Sequence, residues 1–255
     1  MKVLVACEES QRVCTAFRKL GHEAYSCDIQ DQSGGHPEWH IKGDVLRLLY
    51  PDILLCSFDI NSKDEMIGTF QTCDGKTHEL PPRWDLIIAH PPCTYLSNAG
   101  ACRLYPHKGQ LDQQRYKKGL KAKEFFLKLF NADCEHICVE NPIPSKVFDM
   151  PPYSQTIQPY EYGHPYSKKT CLWLKGLPKL QPTNILTEYK PYVSCGTSAN
   201  KGNKDKAGFS RAGGAAKIRS KTFEGIAAAM AEQWGKESAL ITKNEPEQFS
   251  LFNLF

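Results

Sequence analysis

The sequence predicts an α/β fold: one mostly parallel sheet with helices on both faces. Three observations carry this. Short apolar runs alternate with segments of helical periodicity, most of these runs end on a polar or charged residue, and 255 residues with 41% hydrophobic and 24% charged content suit one domain with a full core. Strands separated by helices run parallel through crossovers, and ligands of such sheets sit beyond the carboxyl ends of the strands. Chemistry is therefore sought just after each strand.

The elements follow in order. Lys2 to Cys7 is an apolar run that reads as the first strand, and Ser10 to Leu20 places Val13, Ala16, Phe17 and Leu20 at helical spacing until Gly21 ends the helix. His22 to Ile29 reads as a second strand and Trp84 to Ala89 as a third. Gln110 to Phe130 is a long lysine-rich amphipathic helix, Glu135 to Val139 a further strand, and Thr222 to Trp234 a last helix. Three stretches break the alternation: a mixed insertion from Tyr50 to Arg83, a Gly/Lys/Ser-rich stretch from Ser194 to Ser220, and a polar tail from Thr242 that ends in aromatics. This gives a core over 1–193, a basic loop or reduced recognition region over 194–220, a helix returning to the core over 221–241, and a flexible tail over 242–255.

Composition removes several function classes. No run approaches the roughly 20 apolar residues of a membrane helix, and the first residues lack a signal peptide's apolar stretch, so a cytoplasmic protein is expected. Eleven cysteines, an odd number with no C-x-x-C pair, read as reduced thiols. Cys134 and Cys138 flank His136 but lie in a strand-like run where neighbours face opposite ways, so buried thiols are expected there rather than zinc, and no metal site is expected anywhere. The net charge of +4 conceals an uneven placement: between Lys201 and Lys221, seven basic residues (Lys201, Lys204, Lys206, Arg211, Lys217, Arg219 and Lys221) face a single acid, Asp205. That segment is the expected polyanion contact.

The strand ends carry distinctive groups. Asp28 closes the second strand about 20 residues after the first, where a nucleoside-binding sheet places a carboxylate on the ribose hydroxyls. Asp44, beside Val45, is placed to accept from an adenine amino group, so the two acids together describe an adenosine-type pocket. After the third strand comes His90-Pro91-Pro92-Cys93, a loop stiffened by two prolines that presents a thiol. After the next comes Val139-Glu140-Asn141-Pro142, with a carboxylate at the neighbouring strand end.

In these motifs the chain resembles the cytosine carbon-5 DNA methyltransferases, particularly the compact forms of bacteriophages and prophages. The likeness runs through Val3 to Asp28, Gly43 to Val45, Asp85 to Cys93, Val139 to Pro142 and Tyr162 to Leu174, with a weaker echo in Phe223 to Trp234. Its most specific elements are Pro-Pro-Cys followed by Glu-Asn-Pro. The resemblance implies a Rossmann-like methyltransferase sheet with a small or absent target-recognition domain, S-adenosyl-L-methionine as cofactor, and DNA as partner. It implies Cys93 as the nucleophile at carbon 6 of cytosine, Glu140 as the group that protonates ring nitrogen 3, and Lys168 in place of an arginine beside them. Cys7, Glu8, Asp28, Ile29, Asp44, Val45, His90 and Pro92 fall at its cofactor positions. A flipped-out base is implied for duplex substrates, and Ser97 to Cys102, with Ser97 and Asn98 touching DNA, would be the mobile loop that closes on it.

The chain departs from the family at three places. Cys7-Glu8-Glu9-Ser10-Gln11 stands where relatives have Phe-x-Gly-x-Gly, Lys168 lacks the planar fork of arginine, and fewer than fifty residues separate Leu174 from Phe223, where most relatives hold a separate recognition domain. Short sequence selectivity or help from a partner is the consequence. The tail offers one: Gln248-Phe249-Ser250-Leu251-Phe252 resembles the pentapeptide with which bacterial replication proteins dock on the sliding clamp, with Gln248, Leu251 and Phe252 as its contacts.

Two other readings compete. A methyltransferase for an exocyclic amine would carry an aromatic where Cys93 stands. A non-catalytic DNA- or clamp-binding protein on a methyltransferase scaffold would explain the altered first motif, but gives no chemical reason for keeping both Cys93 and Glu140.

Overall fold

The computed structural model describes residues 1–50, 57–60, 66–101, 103–107, 109–192 and 220–236, with 57–60 and 66–67 described by backbone alone. Its centre is a seven-stranded sheet in the order β3-β2-β1-β7-β8-β11-β9. These strands are β1 (Lys2–Ala6), β2 (Glu23–Asp28), β3 (His40–Lys42), β7 (Leu86–Ala89), β8 (Ile137–Pro142), β9 (Gln155–Ile157) and β11 (Thr170–Lys175). The first five pair in parallel, whereas β11 runs antiparallel to both β8 and β9. The expected α/β sheet is therefore present, but it is mixed at one side.

Burial explains the apolar runs. Val3, Leu4, Val5 and Ala6 of β1 and all four residues of β7 are fully buried, as strands covered on both faces must be. Alternation divides them between two cores. Leu4, Ala6, Ile87, Ala89, Ile137 and Val139 meet Phe126 and Leu129 of the long helix α4 (Gln113–Phe130). Val3, Val5, Leu86 and Ile88 meet Val13 and Phe17 of α1 (Arg12–Lys19), together with Ile226, Met230 and Trp234 of α5 (Glu224–Trp234). Cys134 sits in the first core and Cys138 in the second, on opposite faces of the sheet, each a buried thiol. Among the described residues no cluster of three or more metal-binding side chains occurs, and no helix is long and apolar enough to cross a membrane.

The boundaries have local causes. Asp112 caps α4 by accepting from the Arg115 amide at 3.0 Å, so the helix starts three residues later than its periodicity suggests. The mixed insertion forms a three-stranded antiparallel sheet of β4 (Ser57–Ile60), β5 (Met66–Gln71) and β6 (Thr77–Glu79). Phe70 and His78 from it pack on Tyr25 of β2, at ring separations of 5.0 and 5.2 Å. A short parallel pair, β10 (Tyr166–Ser167) with β12 (Lys190–Pro191), lies apart from the main sheet.

From β1 the chain steps one way through β2 to β3, then crosses back to lay β7 on the other side of β1. The switch point of the sheet thus lies between the carboxyl ends of β1 and β7, where a crevice opens in folds of this kind.

Candidate active site

Two groups of side chains flank that switch point. The first is built from the ends of β1 and β2 and the loop after β3. Cys7, the first residue beyond β1, has a φ of 59°, and Gln11, just before α1, has a φ of 56°. Each left-handed residue costs about 1–2 kcal/mol without glycine, and Gln11 is held there by its own side chain, which accepts from His36 N at 3.1 Å and donates to His36 O at 2.8 Å. The loop thus makes a tight turn without glycine at either left-handed position.

Within this turn Glu8 is buried, and its two carboxylate oxygens accept from the amides of Val13 at 2.7 Å and Cys14 at 3.2 Å. A built-in carboxylate therefore fills the anion position at the amino end of α1. Burial raises the Glu8 pKa, opposed by His90 and by these amides.

Around the turn stand the two acids. Asp28 Oδ1 accepts from Gln30 N at 2.9 Å, and Asp44 Oδ1 from Leu46 N at 3.0 Å, which starts the one-turn helix α2 (Leu46–Leu49). Each leaves its second oxygen outside these turns. Burial, with the charges of Asp28 and Asp44 close by, pushes the Cys7 thiol up to about 12, so this cysteine stays neutral. The three groups are electrostatic neighbours, as their strand-end positions imply. Ile29, next to Asp28, is 76% exposed, an apolar side chain held out beside two carboxylates. Val45, the other residue of that expected pocket, has its side chain packed in the core.

The second group comes from β7, β8 and the turn before β11. The ring of His90, a residue expected at the cofactor, contacts Glu140: Nδ1 lies 2.9 Å from Glu140 Oε2, with both side chains largely buried. Burial works against the charge on His90, but the hydrogen bond and charge of Glu140, with Glu8 adding to them, raise its pKa overall. Burial likewise opposes the charge on Glu140, yet His90 and Lys168 hold its pKa below the ordinary carboxylate value. The two shifts favour the imidazolium–carboxylate form of the pair, and Lys168 acts on it from the turn after β10. Gln158 fixes that turn by accepting from Lys168 N at 2.9 Å.

The Cys93 loop is tied to the Glu140 loop by backbone and amide bonds. Asn141 Nδ2 donates to Pro91 O at 3.3 Å, Asn98 N to Ile143 O at 2.9 Å, and Ser145 N to Leu96 O at 2.7 Å. Cys93 is half-buried at the head of a turn closed by Ser97 N donating to its carbonyl at 3.0 Å, while Pro92 is exposed. The short helix α3 (Asn98–Ala101) follows, and Gly100 comes so close to the Thr94 carbonyl that a methyl group there would collide with it. Ser97, expected on DNA, is buried, and its hydroxyl accepts from Gly100 N at 3.2 Å; Asn98 is exposed.

Sequence reasoning missed Arg115. From α4 its guanidinium donates to Thr94 O at 3.2 Å and Gly100 O at 3.0 Å and lies over the Tyr95 ring at 5.0 Å, clamping the turn that carries Cys93. One arginine among the basic residues of a helix gives no sign of such a contact in one dimension.

A small cavity lined by Glu140, Lys168, Thr170, Thr222, Phe223 and Ile226 joins this group to the start of α5. Phe223 packs on Tyr192 at 4.7 Å. The chain therefore leaves for the basic stretch and returns from it beside Glu140. Lys201, Lys204, Lys206, Arg211, Lys217 and Arg219, and the tail residues Gln248, Leu251 and Phe252, lie outside the described residues.

No protein-family model and no curated protein matches the chain. Among solved structures it is similar to a candidate DNA modification methyltransferase encoded within a prophage of E. coli, at 15% identity and a TM-score of 0.38, over 73% of this chain and 52% of that one. The chain thus spans about half the length of that protein.

Proposed function

We propose that this protein transfers a methyl group from S-adenosylmethionine to carbon 5 of cytosine in DNA, with Cys93 as the attacking thiol. The observation that carries this reading is the joining of the Pro91-Pro92-Cys93 loop to the Glu140-Asn141-Pro142 loop at adjacent strand ends, one strand from the group containing Asp28 and Asp44. The mixed sheet, with antiparallel β11 beside β8, suits the methyltransferase fold that the sequence resemblance implies.

The first group fits the cofactor. Asp28 and Asp44 offer carboxylate acceptors for ribose hydroxyls and an adenine amine, and the exposed Ile29 offers an apolar face for the purine. Glu8 sharpens the choice. In a dinucleotide-binding sheet the amino end of the first helix receives a pyrophosphate, but here the buried Glu8 carboxyl group occupies it and takes up the Val13 and Cys14 amides that a phosphate would need. A nucleoside cofactor without phosphate, and with a positive sulfonium, suits that electrostatic setting. When bound, S-adenosylmethionine supplies an electrophilic methyl group.

The protein's own residues do the rest. Cys93 adds as thiolate to carbon 6, which makes carbon 5 enamine-like. Glu140 hydrogen-bonds the base and places a proton on ring nitrogen 3, offsetting the negative charge that addition develops. Loss of the carbon-5 proton, of the Cys93 sulfur as thiolate and of the proton on ring nitrogen 3 then restores the aromatic ring and the free nucleophile. Asn141 and Arg115 hold the two loops in place, and the lysines and arginines between Lys201 and Lys221 contact DNA phosphates.

Incubation of the full chain with unmethylated duplex DNA and methyl-labelled S-adenosylmethionine, followed by nuclease digestion, tests the reading. Label in 5-methyldeoxycytidine is expected; label in N4-methyldeoxycytidine or N6-methyldeoxyadenosine would contradict it. Docking on a sliding clamp through Gln248, Leu251 and Phe252 belongs to the same proposal, and equal clamp binding by the chain with Leu251 and Phe252 replaced by Ala would exclude it.

A further inference from the structure

The His90–Glu140 pair raises a difficulty for the proposed chemistry and also resolves it. Glu140 must place a proton on the base, yet its neighbours hold it ionised. The proton therefore has to be stored next to it. His90 is the residue in contact: Nδ1 stands 2.9 Å from Glu140 Oε2, and both side chains are shielded from solvent. The opposite ring nitrogen, Nε2, is buried and meets no hydrogen-bond partner among the described residues, so the ring's one polar bond aims it at Glu140.

We propose that His90 is a positioning residue for Glu140 that also stores the proton Glu140 delivers. This deepens the carbon-5 reading and rests on it. As Cys93 sulfur bonds to carbon 6 and the electron pair moves toward ring nitrogen 3, Glu140 Oε2 takes the Nδ1 proton of His90, and the carboxylic acid so formed turns about its Cγ–Cδ bond and gives that same proton to ring nitrogen 3. One N–H bond breaks at the ring, one N–H bond forms on the base, and the carboxylate ends ionised as it began. The imidazolium becomes neutral imidazole, and the base, left uncharged by addition plus protonation, carries the proton. When the carbon-5 proton has gone to solvent and the Cys93 sulfur departs, ring nitrogen 3 gives its proton back through Glu140 to His90, which refills the store.

The charges around the ring suit this role. Glu140 faces it from β8, Glu8 from the turn after β1, and Lys168 from the turn before β11. Two carboxylates favour the imidazolium and one ammonium disfavours it, so the proton is held but remains transferable. The thiols of Cys138 and Cys171, both raised by burial, stay neutral and do not compete.

Two measurements test the proposal on the full chain. The first needs no DNA: the imidazole nitrogens of isotope-labelled protein are followed by NMR from pH 5.5 to 9, with His90→Asn assigning the signal. His90 is expected to remain imidazolium above pH ~6.5, the ordinary histidine midpoint, and to lose its proton at lower pH in Glu140→Gln. A neutral His90 at pH 6 in the wild type would overturn the proposal. The second is the pH–rate profile of methyl transfer to unmethylated duplex DNA. The wild-type rate should fall on the alkaline side as the imidazolium is lost. His90→Asn can still donate a hydrogen bond to Glu140 but stores no proton; it should be slower by about 10²-fold at neutral pH and should lack that alkaline limb. A His90→Asn enzyme with wild-type rate and profile would reduce His90 to a hydrogen-bonding prop and refute the proposal; if His90→Asn fails to fold, His90→Gln takes its place with the same expectations. Absence of transfer by the wild type would instead remove the carbon-5 reading, and the titration would still decide whether the pair holds a proton.

Discussion

The two sides of the switch point are built on opposite plans. On one, Asp28 and Asp44 use one oxygen each to start a turn, and Ile29 is held out into solvent. On the other, His90 and Glu140 are buried against each other with Lys168 nearby. An open, acceptor-rich edge can take up a ligand from water and release it. A buried, mutually charged pair is preorganised, so that little rearrangement is needed when charge develops on a bound base. The difference divides the proposed labour: binding on the β1–β3 side, proton chemistry on the β7–β8–β11 side.

Substitutions should separate the two sides. The largest effects belong to the buried side: Cys93→Ala should abolish transfer, and Glu140→Gln should lower kcat by about 10²–10⁴-fold, while calorimetry finds S-adenosylmethionine binding unchanged in both. A fall in cofactor affinity of equal size would show that the two sides are one site. Next is Gly100→Ala, which pushes on the Thr94 carbonyl and displaces the Cys93 turn; a shift near 1 Å costs about 10²-fold in kcat/KM, with cofactor affinity and melting behaviour close to wild type. Smaller again is Asp28→Ala, which removes a charged acceptor worth about 1.5–3 kcal/mol and should weaken cofactor binding by about 10–100-fold, with kcat restored at saturating cofactor.

The smallest effect is on stability. Glu140 has a lowered pKa, so its contribution is present above the unfolded carboxylate value and is lost as pH falls through the folded one. His90 has a raised pKa, so its contribution is complete below the unfolded histidine value and is lost as pH rises through the folded one. The melting-temperature difference between wild type and His90→Asn should therefore be widest between about pH 4.5 and 6.5 and shrink on both sides. A difference that is flat from pH 4 to 9 would show that the pair is uncharged.

The open side was the more legible in the sequence. Asp28 closes a strand that the sequence predicts, whereas Asp44 follows β3, a strand of three residues (His40–Lys42) that no apolar run marks. That the side chain of Val45 turns into the core just before α2 is not visible in the sequence, because the residue after a loop acid can turn inward as readily as outward. On the buried side the two motifs were visible but their partnership was not: His90 read as part of a cofactor loop because nothing in one dimension shows that it faces Glu140, fifty residues later. The antiparallel course of β11 was hidden for a related reason. Thr170–Lys175 is nearly continuous in apolar residues, and such a run is consistent with a buried strand but carries no sign of its direction. The left-handed backbone at Cys7 and Gln11 was concealed by side chains that usually avoid it.

The central claim is that Cys93 attacks the base covalently, and duplex DNA containing 5-fluorocytosine tests it most directly, because fluorine cannot leave carbon 5 as a proton does. With S-adenosylmethionine present, mass spectrometry should find the wild-type chain trapped on DNA through a peptide containing Cys93, and Cys93→Ser untrapped. No adduct with the wild type, or an adduct that survives Cys93→Ser, would contradict it.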